Sequence, residues 1–153
     1  MLTDAAAAGA PVAGSVDDTV IERAQAALEA ITAFFDEAIR EDLSALVAAR
    51  NALRLSDGNA APLAALRAGA EGLEAQGSLY GMPLVAALAG SLHKLVAKAP
   101  AAHALPIDLV DAHLDALKAI ADGRSDRAES SIVICHLRNT VRQTVVGWAH
   151  AGA

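Results

Sequence analysis

The chain has 153 residues, of which 54% are hydrophobic and only 3% aromatic, and its formal net charge is −6. A single domain of this length can bury about 68–70% of the surface that its unfolded chain exposes. The acidic balance argues against a nucleic-acid partner, and no run of about 18 apolar residues exists that could span a bilayer. Cys135 is the only cysteine, which excludes an intrachain disulfide and fits a reducing compartment. We therefore expect a cytoplasmic protein with no targeting signal and no membrane partner.

The start of the chain predicts a tail followed by one domain. Residues 1–14 are mainly Ala, Gly and Pro with little to bury, and we predict that they form a disordered N-terminal tail. Ser15 and Asp18 have the spacing of a capping box, so a helix should begin there. Residues 15–150 are predicted to form a single helical domain.

A long apolar series follows the capping box. Its spacing of three and four residues is typical of an amphipathic helix, and the turn cluster at 56–59 ends it. Residues 16–55 could form either one long helix or two helices joined near Ala33. The series consists of Ile21, Ala24, Leu28, Ile31, Phe35, Ala38, Ile39, Leu43, Leu46, Val47 and Leu53.

The second predicted helix begins near Asn59, runs to Tyr80 and is closed by Gly81. Leu63, Leu66, Ala70, Leu73, Gly77 and Tyr80 form its apolar stripe. Its other side combines charged groups with residues that have almost no side chain, so that a partner could approach the helix closely. This outer face consists of Arg67, Ala68, Glu71, Gly72, Glu74, Ala75, Ser78 and Leu79.

Three further helices are predicted. They begin at Pro83, at Pro106 and near Ser125, which is the expected N-cap of the last one. Helices of this length with short connections favour an all-α fold, an antiparallel up-and-down four-helix bundle with an extra terminal helix. The expected stripe of the third helix is Leu84, Val85, Leu88, Leu92, Leu95 and Val96, and that of the last helix is Val133, Ile134, Leu137, Val141, Val145 and Trp148.

Five short sequences mark the successive elements of the chain. Residues 70–81 read AEGLEAQGSLYG, the turn that closes them is YGMP, LAGSLHKLV follows at 88–96, IDLV stands at 107–110 and VICHLR at 133–138. In their order and spacing, these elements resemble the histidine phosphotransfer (HPt) domains, in particular the phosphotransfer domains of chemotaxis kinases. The resemblance covers roughly residues 17 to 148. It implies an HPt-like bundle that takes part in bacterial two-component phosphorelay signalling.

The chain departs from the family at the reactive position. Glu71 stands where the resemblance implies the phosphorylated histidine, Glu74 where it implies a lysine, and Ala75 where it implies a glycine. A histidine nitrogen can accept and release a phosphoryl group, whereas two acids one helical turn apart repel it. We therefore expect no phosphotransfer through this site. The alternative is that Glu71 and Glu74 are simply part of a solvated helix face.

Other histidines could accept a phosphoryl group only if they are exposed. His93 and His136 are predicted to point outward and are the two alternative candidates for a phosphoryl acceptor. His113 lies in the middle of an apolar stripe, which predicts a core histidine that is hydrogen-bonded across the bundle. No Glu-x-x-His pair occurs for a di-iron site, so we expect no metal and no cofactor.

Three functional hypotheses remain. The first is an HPt-like adaptor or inhibitor that is not an enzyme and docks the receiver domain of a response regulator, or a histidine kinase, through the outer face of the second helix. The second is an active phosphotransfer protein that uses His93 or His136. The third is a helical bundle whose role is homodimerisation, through close packing at positions four residues apart, such as Gly69, Leu73 and Gly77, or through a long first helix.

Overall fold

The computed structural model describes residues 2–57 and 59–152, with side chains from residue 17 onward. The described residues form α-helices and one short 3₁₀ helix, and they contain no strand. The all-α fold class is therefore confirmed. The helices are α1 (Leu2–Leu55), α2 (Ala60–Leu79), α3 (Pro83–Lys98), the 3₁₀ helix Ala102–Ala104, α4 (Ile107–Ala121) and α5 (Arg127–Gly152).

The chain divides into two units, residues 1–37 and residues 38–153. In the first unit, the side chains of residues 17–34 are all exposed. The sequence left open whether residues 16–55 form one helix or two, and the structure has one helix, whose bounds begin at Leu2. The side chains of residues 1–16 lie outside the described residues, so the disordered tail over 1–14 and the domain boundary after it stay predictions.

The second unit has its own hydrophobic core, to which α1 contributes from Ile39 onward. The apolar periodicity of each helix explains this core, because residues three and four apart lie on one face of a helix. The largest fully buried apolar side chains are Ile39, Leu46, Leu66, Leu73, Val85, Leu88, Leu92, Leu95, Val110, Leu117 and Val141.

The turn between α2 and α3 is tight. Gly81 has a φ of 68°, a conformation that glycine adopts at little cost, and the N–H of Met82 donates to the Gly77 carbonyl at 2.8 Å. These features form a Schellman motif that ends α2. Pro83 then opens α3 at a position where its missing N–H costs nothing.

Contacts across the helix pairs show antiparallel packing. Gly77 of α2 lies against Ala86, and Glu74, one turn earlier on α2, lies against Gly90, one turn later on α3. The C-terminal part of α1 packs on α2 in the same sense, because Leu46 lies over Gly69 while Gln76, later on α2, donates to the carboxylate of Asp42, earlier on α1. The predicted antiparallel arrangement is confirmed for these neighbours.

His113 occupies the core as the sequence predicts. It is 0% exposed, its Nε2 lies 2.9 Å from the Ser91 hydroxyl of α3, and its Nδ1 lies 2.7 Å from the Leu109 carbonyl. Since a carbonyl only accepts, Nδ1 carries the proton and Nε2 accepts from Ser91. Burial lowers the pKa of His113 from its ordinary value of 6.5, and this effect outweighs the hydrogen bond to Leu109, which raises it.

Helix α5 differs from the sequence prediction at two points. The Asp126 carboxylate, rather than Ser125, accepts from the backbone N–H of Glu129, while the Ser125 hydroxyl is bonded to that of Ser130. Val133 is 43% exposed, so it lies outside the stripe that Ile134, Leu137 and Val141 bury. Within the described part of the chain, no helix has the length and apolar character needed to cross a membrane.

Candidate functional site on α2

The inner side of α2 is fixed by burial. Leu66, Ala70 and Leu73 are 0% exposed and Gly77 is also buried. Leu63 and Tyr80, at the two ends of the predicted stripe, are half-buried. The predicted apolar stripe is therefore confirmed, and it determines which residues of α2 point away from the core.

The outer face of α2 is exposed around Glu71. A Cβ added at Gly72 would have no atom within 4 Å, so the space beside Glu71 is open. Leu79, at the C-terminal end of this face, is 76% exposed. Of the predicted binding residues, the exposed ones are Arg67, Ala68, Glu71, Gly72, Ala75, Ser78 and Leu79.

A shallow groove of about 430 Å³ lies beside Glu71, between the start of α2 and the end of α3. Alanine, leucine and valine side chains line most of it, and the charged groups that line it are Arg67 and Glu71. Neither of these two side chains forms an ion pair within the described residues. The groove is therefore an apolar depression with one positive charge, Arg67, and one negative charge, Glu71, in its lining.

Glu74 is oriented differently from Glu71. Its side chain is 40% exposed, and its Oε2 lies 3.8 Å from Nδ1 of His93. A Cβ added at Gly90 would lie 2.5 Å from the same oxygen, so the carboxylate fills the space that Gly90 leaves open on α3. Glu71 thus faces solvent, whereas Glu74 faces α3.

The two histidine candidates lie on different helices. His93 on α3 has a side chain that is 25% exposed and close to Glu74, although 3.8 Å is longer than a hydrogen bond. His136 on α5 is exposed. Phosphoryl transfer by either residue stays a prediction. Among the described side chains, no group of three or more His, Cys, Asp or Glu residues could hold a metal ion.

Sequence reasoning missed a second groove, of about 410 Å³, which Lys94, Arg138 and Arg142 line together with residues of α2 and α3. The signal for it was present in the sequence. Residues 83–98 and 130–152 contain no acidic residue, although the chain as a whole has 18 acids against 12 Lys and Arg.

No protein-family model matches this chain, and no curated protein or solved structure matches it either.

Proposed function

We propose that this chain is an interaction module of bacterial two-component signalling that docks a receiver domain or a histidine kinase through the outer face of α2. In this proposal the module binds its partner but transfers no phosphoryl group through Glu71. The supporting observation is the exposed position of Glu71, at the centre of a face of Ala and Gly residues on a helix whose other side is buried.

The shape of the face suits a helix or loop that approaches closely. Packed helices lie about 8–10 Å apart, and the lower end of that range requires small residues at the contact. Ala68, Gly72 and Ala75 provide such residues on both sides of Glu71. From Arg67 to Leu79 the face extends for about 18 Å at 1.5 Å per residue.

Apolar contacts are available at both ends of the face. The groove of about 430 Å³ adjoins Arg67 and Glu71, and Leu79 exposes an apolar side chain at the other end. A partner would bury these apolar ends and meet the charges between them. Charge placement of this kind contributes mainly to specificity and to the rate of association.

The docking proposal is tested by charge reversal at Glu71. Binding of purified receiver domains and kinase cores from the source organism would be measured by isothermal titration calorimetry. Glu71→Arg should weaken binding about tenfold or more, because central contacts dominate an interface. Glu129→Arg is the matched control, since Glu129 is an exposed glutamate on another helix, α5, and is not a residue of this face.

Two results would contradict the docking proposal. One is equal binding by the wild type and Glu71→Arg. The other is an acid-labile phosphoryl label that the wild type acquires from a labelled donor and that His93→Ala or His136→Ala abolishes, because this label would establish the active phosphotransfer alternative.

A second candidate function is homodimerisation through the first unit. The observation that favours it is a run of large apolar side chains on α1 that are 47–67% exposed: Val20, Ile21, Leu28, Ile31 and Phe34. Ile21 and Leu28 are seven residues apart and Ile31 follows three residues later, which is the a and d spacing of a coiled-coil seam.

Sedimentation velocity over a range of concentrations tests homodimerisation. If two chains pair through this seam, the wild type should sediment as a dimer. Leu28→Glu should dissociate the dimer, whereas Ala26→Glu, on the opposite side of α1, should leave it intact. A wild-type chain that sediments as a monomer at every concentration would rule this candidate out.

A further inference from the structure

The groove that Lys94, Arg138 and Arg142 line is separate from the one beside Glu71. It lies between α3 and α5, and Glu74 and Ser78 of α2 also line it. Its volume of about 410 Å³ is within the range of about 300–1,000 Å³ that small-molecule sites occupy.

The charge around this groove is opposite to that of the rest of the chain. Residues 83–98 and 130–152 carry four fixed cations, Lys94, Lys98, Arg138 and Arg142, and no acid. The remainder of the chain has 8 basic and 18 acidic residues, a net charge of −10. A cationic groove in an acidic chain concentrates anions locally, because the potential near a concave surface follows its nearest charges.

The cations of the groove have no acidic partner among the described residues. Other arginines of the same unit do: Arg50 is held by the Asp111 carboxylate, and Arg124 lies 3.4 Å from Asp122. The single acid that lines the groove, Glu74, is turned toward His93 on α3. The groove therefore keeps an excess of positive charge.

The two arginines are spaced to act together. Arg138 and Arg142 are four residues apart on α5, which places them on one face about 6 Å apart along the helix axis. A like-charge pair at this spacing mildly destabilises a helix unless an anion lies between the charges. Guanidinium groups donate paired hydrogen bonds to phosphate oxygens, and Lys94 adds a third donor from α3.

The groove continues into apolar space. A neighbouring depression of about 340 Å³ is also lined by Arg138 and Arg142, and Leu84 and Ile134 line it as well. We propose that Arg138, Arg142 and Lys94 bind the phosphate groups of a small phosphorylated organic molecule whose organic part lies against Leu84 and Ile134. Glu74 and Ser78 belong to the outer face of α2 and also line this groove, but Glu71, the residue on which the docking proposal is tested, lines neither depression.

Calorimetric titration of the full chain with pyrophosphate and with ATP, at low ionic strength, tests the proposal. We expect both probes to bind, and ATP to bind more tightly because its organic part gains apolar contacts. Arg138→Gln and Arg142→Gln should each weaken binding of both probes about tenfold or more, the effect of losing a charged hydrogen-bond donor. Both arginines are exposed, so the variants should retain the fold, which circular dichroism would verify.

Lys98→Gln is the matched control. Lys98 is an exposed cation on the same helix as Lys94 and lines neither depression, so its loss should change affinity less than twofold. The proposal fails if the wild type binds neither probe, or if Lys98→Gln weakens binding as much as Arg138→Gln does. Equal affinity for pyrophosphate and ATP would overturn the role given to Leu84 and Ile134. A loss of binding in Glu71→Arg would contradict the placement of the phosphate site away from Glu71.

Discussion

Helices α2 and α3 approach each other closely at Gly77, and substituting this residue tests the packing of the bundle. A Cβ added there would lie 2.7 Å from the backbone nitrogen of Ala86 and 3.0 Å from its Cα. These are backbone atoms inside α3, so they cannot rotate away as the end of a side chain can. Gly77→Ala must therefore push the two helices apart or distort one of them.

The size of the effect follows from two opposing contributions. Replacing a helical glycine by alanine gains about 1 kcal/mol of helix propensity, while overpacking costs about 1–3 kcal/mol. We expect Gly77→Ala to lower the free energy of unfolding by up to about 2 kcal/mol. Gly72→Ala is the matched control on the same helix, because a Cβ there meets no atom within 4 Å. It should raise the free energy of unfolding by about 0.5–1 kcal/mol.

Urea unfolding followed by circular dichroism measures both variants. A change of stability moves the midpoint and leaves the slope unchanged. The midpoints should move in opposite directions, downward for Gly77→Ala and upward for Gly72→Ala. If Gly77→Ala stabilises the protein as much as Gly72→Ala does, the close approach of α2 and α3 is refuted.

Three further outcomes follow from the core and the helix contacts. Because the pKa of His113 is lowered on folding, only the unfolded chain gains a proton as the pH falls below 6.5. The free energy of unfolding should be level above about pH 7 and should fall below pH 6.5 by up to about 1.4 kcal/mol per pH unit. Urea titrations at several pH values measure this slope, which should be smaller in His113→Gln. The Asp111 carboxylate accepts hydrogen bonds from Arg50 and raises the pKa of its guanidinium. Asp111→Asn removes this charge and should lower the melting temperature. When Arg50 is already replaced by Gln, Asp111→Asn should lower the melting temperature by less than it does in the wild type. Gly90→Ala should stabilise by up to about 1 kcal/mol in urea unfolding, since the Glu74 carboxylate can rotate away from the new methyl group.

The helices and their buried faces could be predicted because the signals for them are local. The turn at Gly81 and Pro83, the buried stripe of α2 and the core position of His113 all follow from residues near one another in the chain. The periodicity of α1 predicted an apolar face, but it could not predict which part of that face other helices bury. Ile21 and Leu28 belong to the same apolar series as Ile39, yet they are exposed while Ile39 is buried.

The candidate site could be predicted only in part, for the same physical reason. Helical spacing places Glu71 and Glu74 on one arc, and the structure keeps Glu71 exposed while Glu74 faces α3. What separates them is the space at Gly90, a residue of another helix that local spacing cannot place beside Glu74. The groove at Arg138 could not be predicted for the same reason, because its shape depends on which helix lies next to α5. Its charge could be read from the sequence, but its shape could not.

The two sides of α2 allow binding and stability to vary independently. Its inner side is constrained at every turn, since Leu66 and Leu73 are fully buried and Gly77 touches the backbone of α3. Its outer side around Glu71 contacts nothing that the fold requires, so a substitution there costs little folding free energy. The bundle should therefore have a similar free energy of unfolding with a histidine or a glutamate at position 71. The bundle thus imposes little packing constraint on which residue occupies position 71.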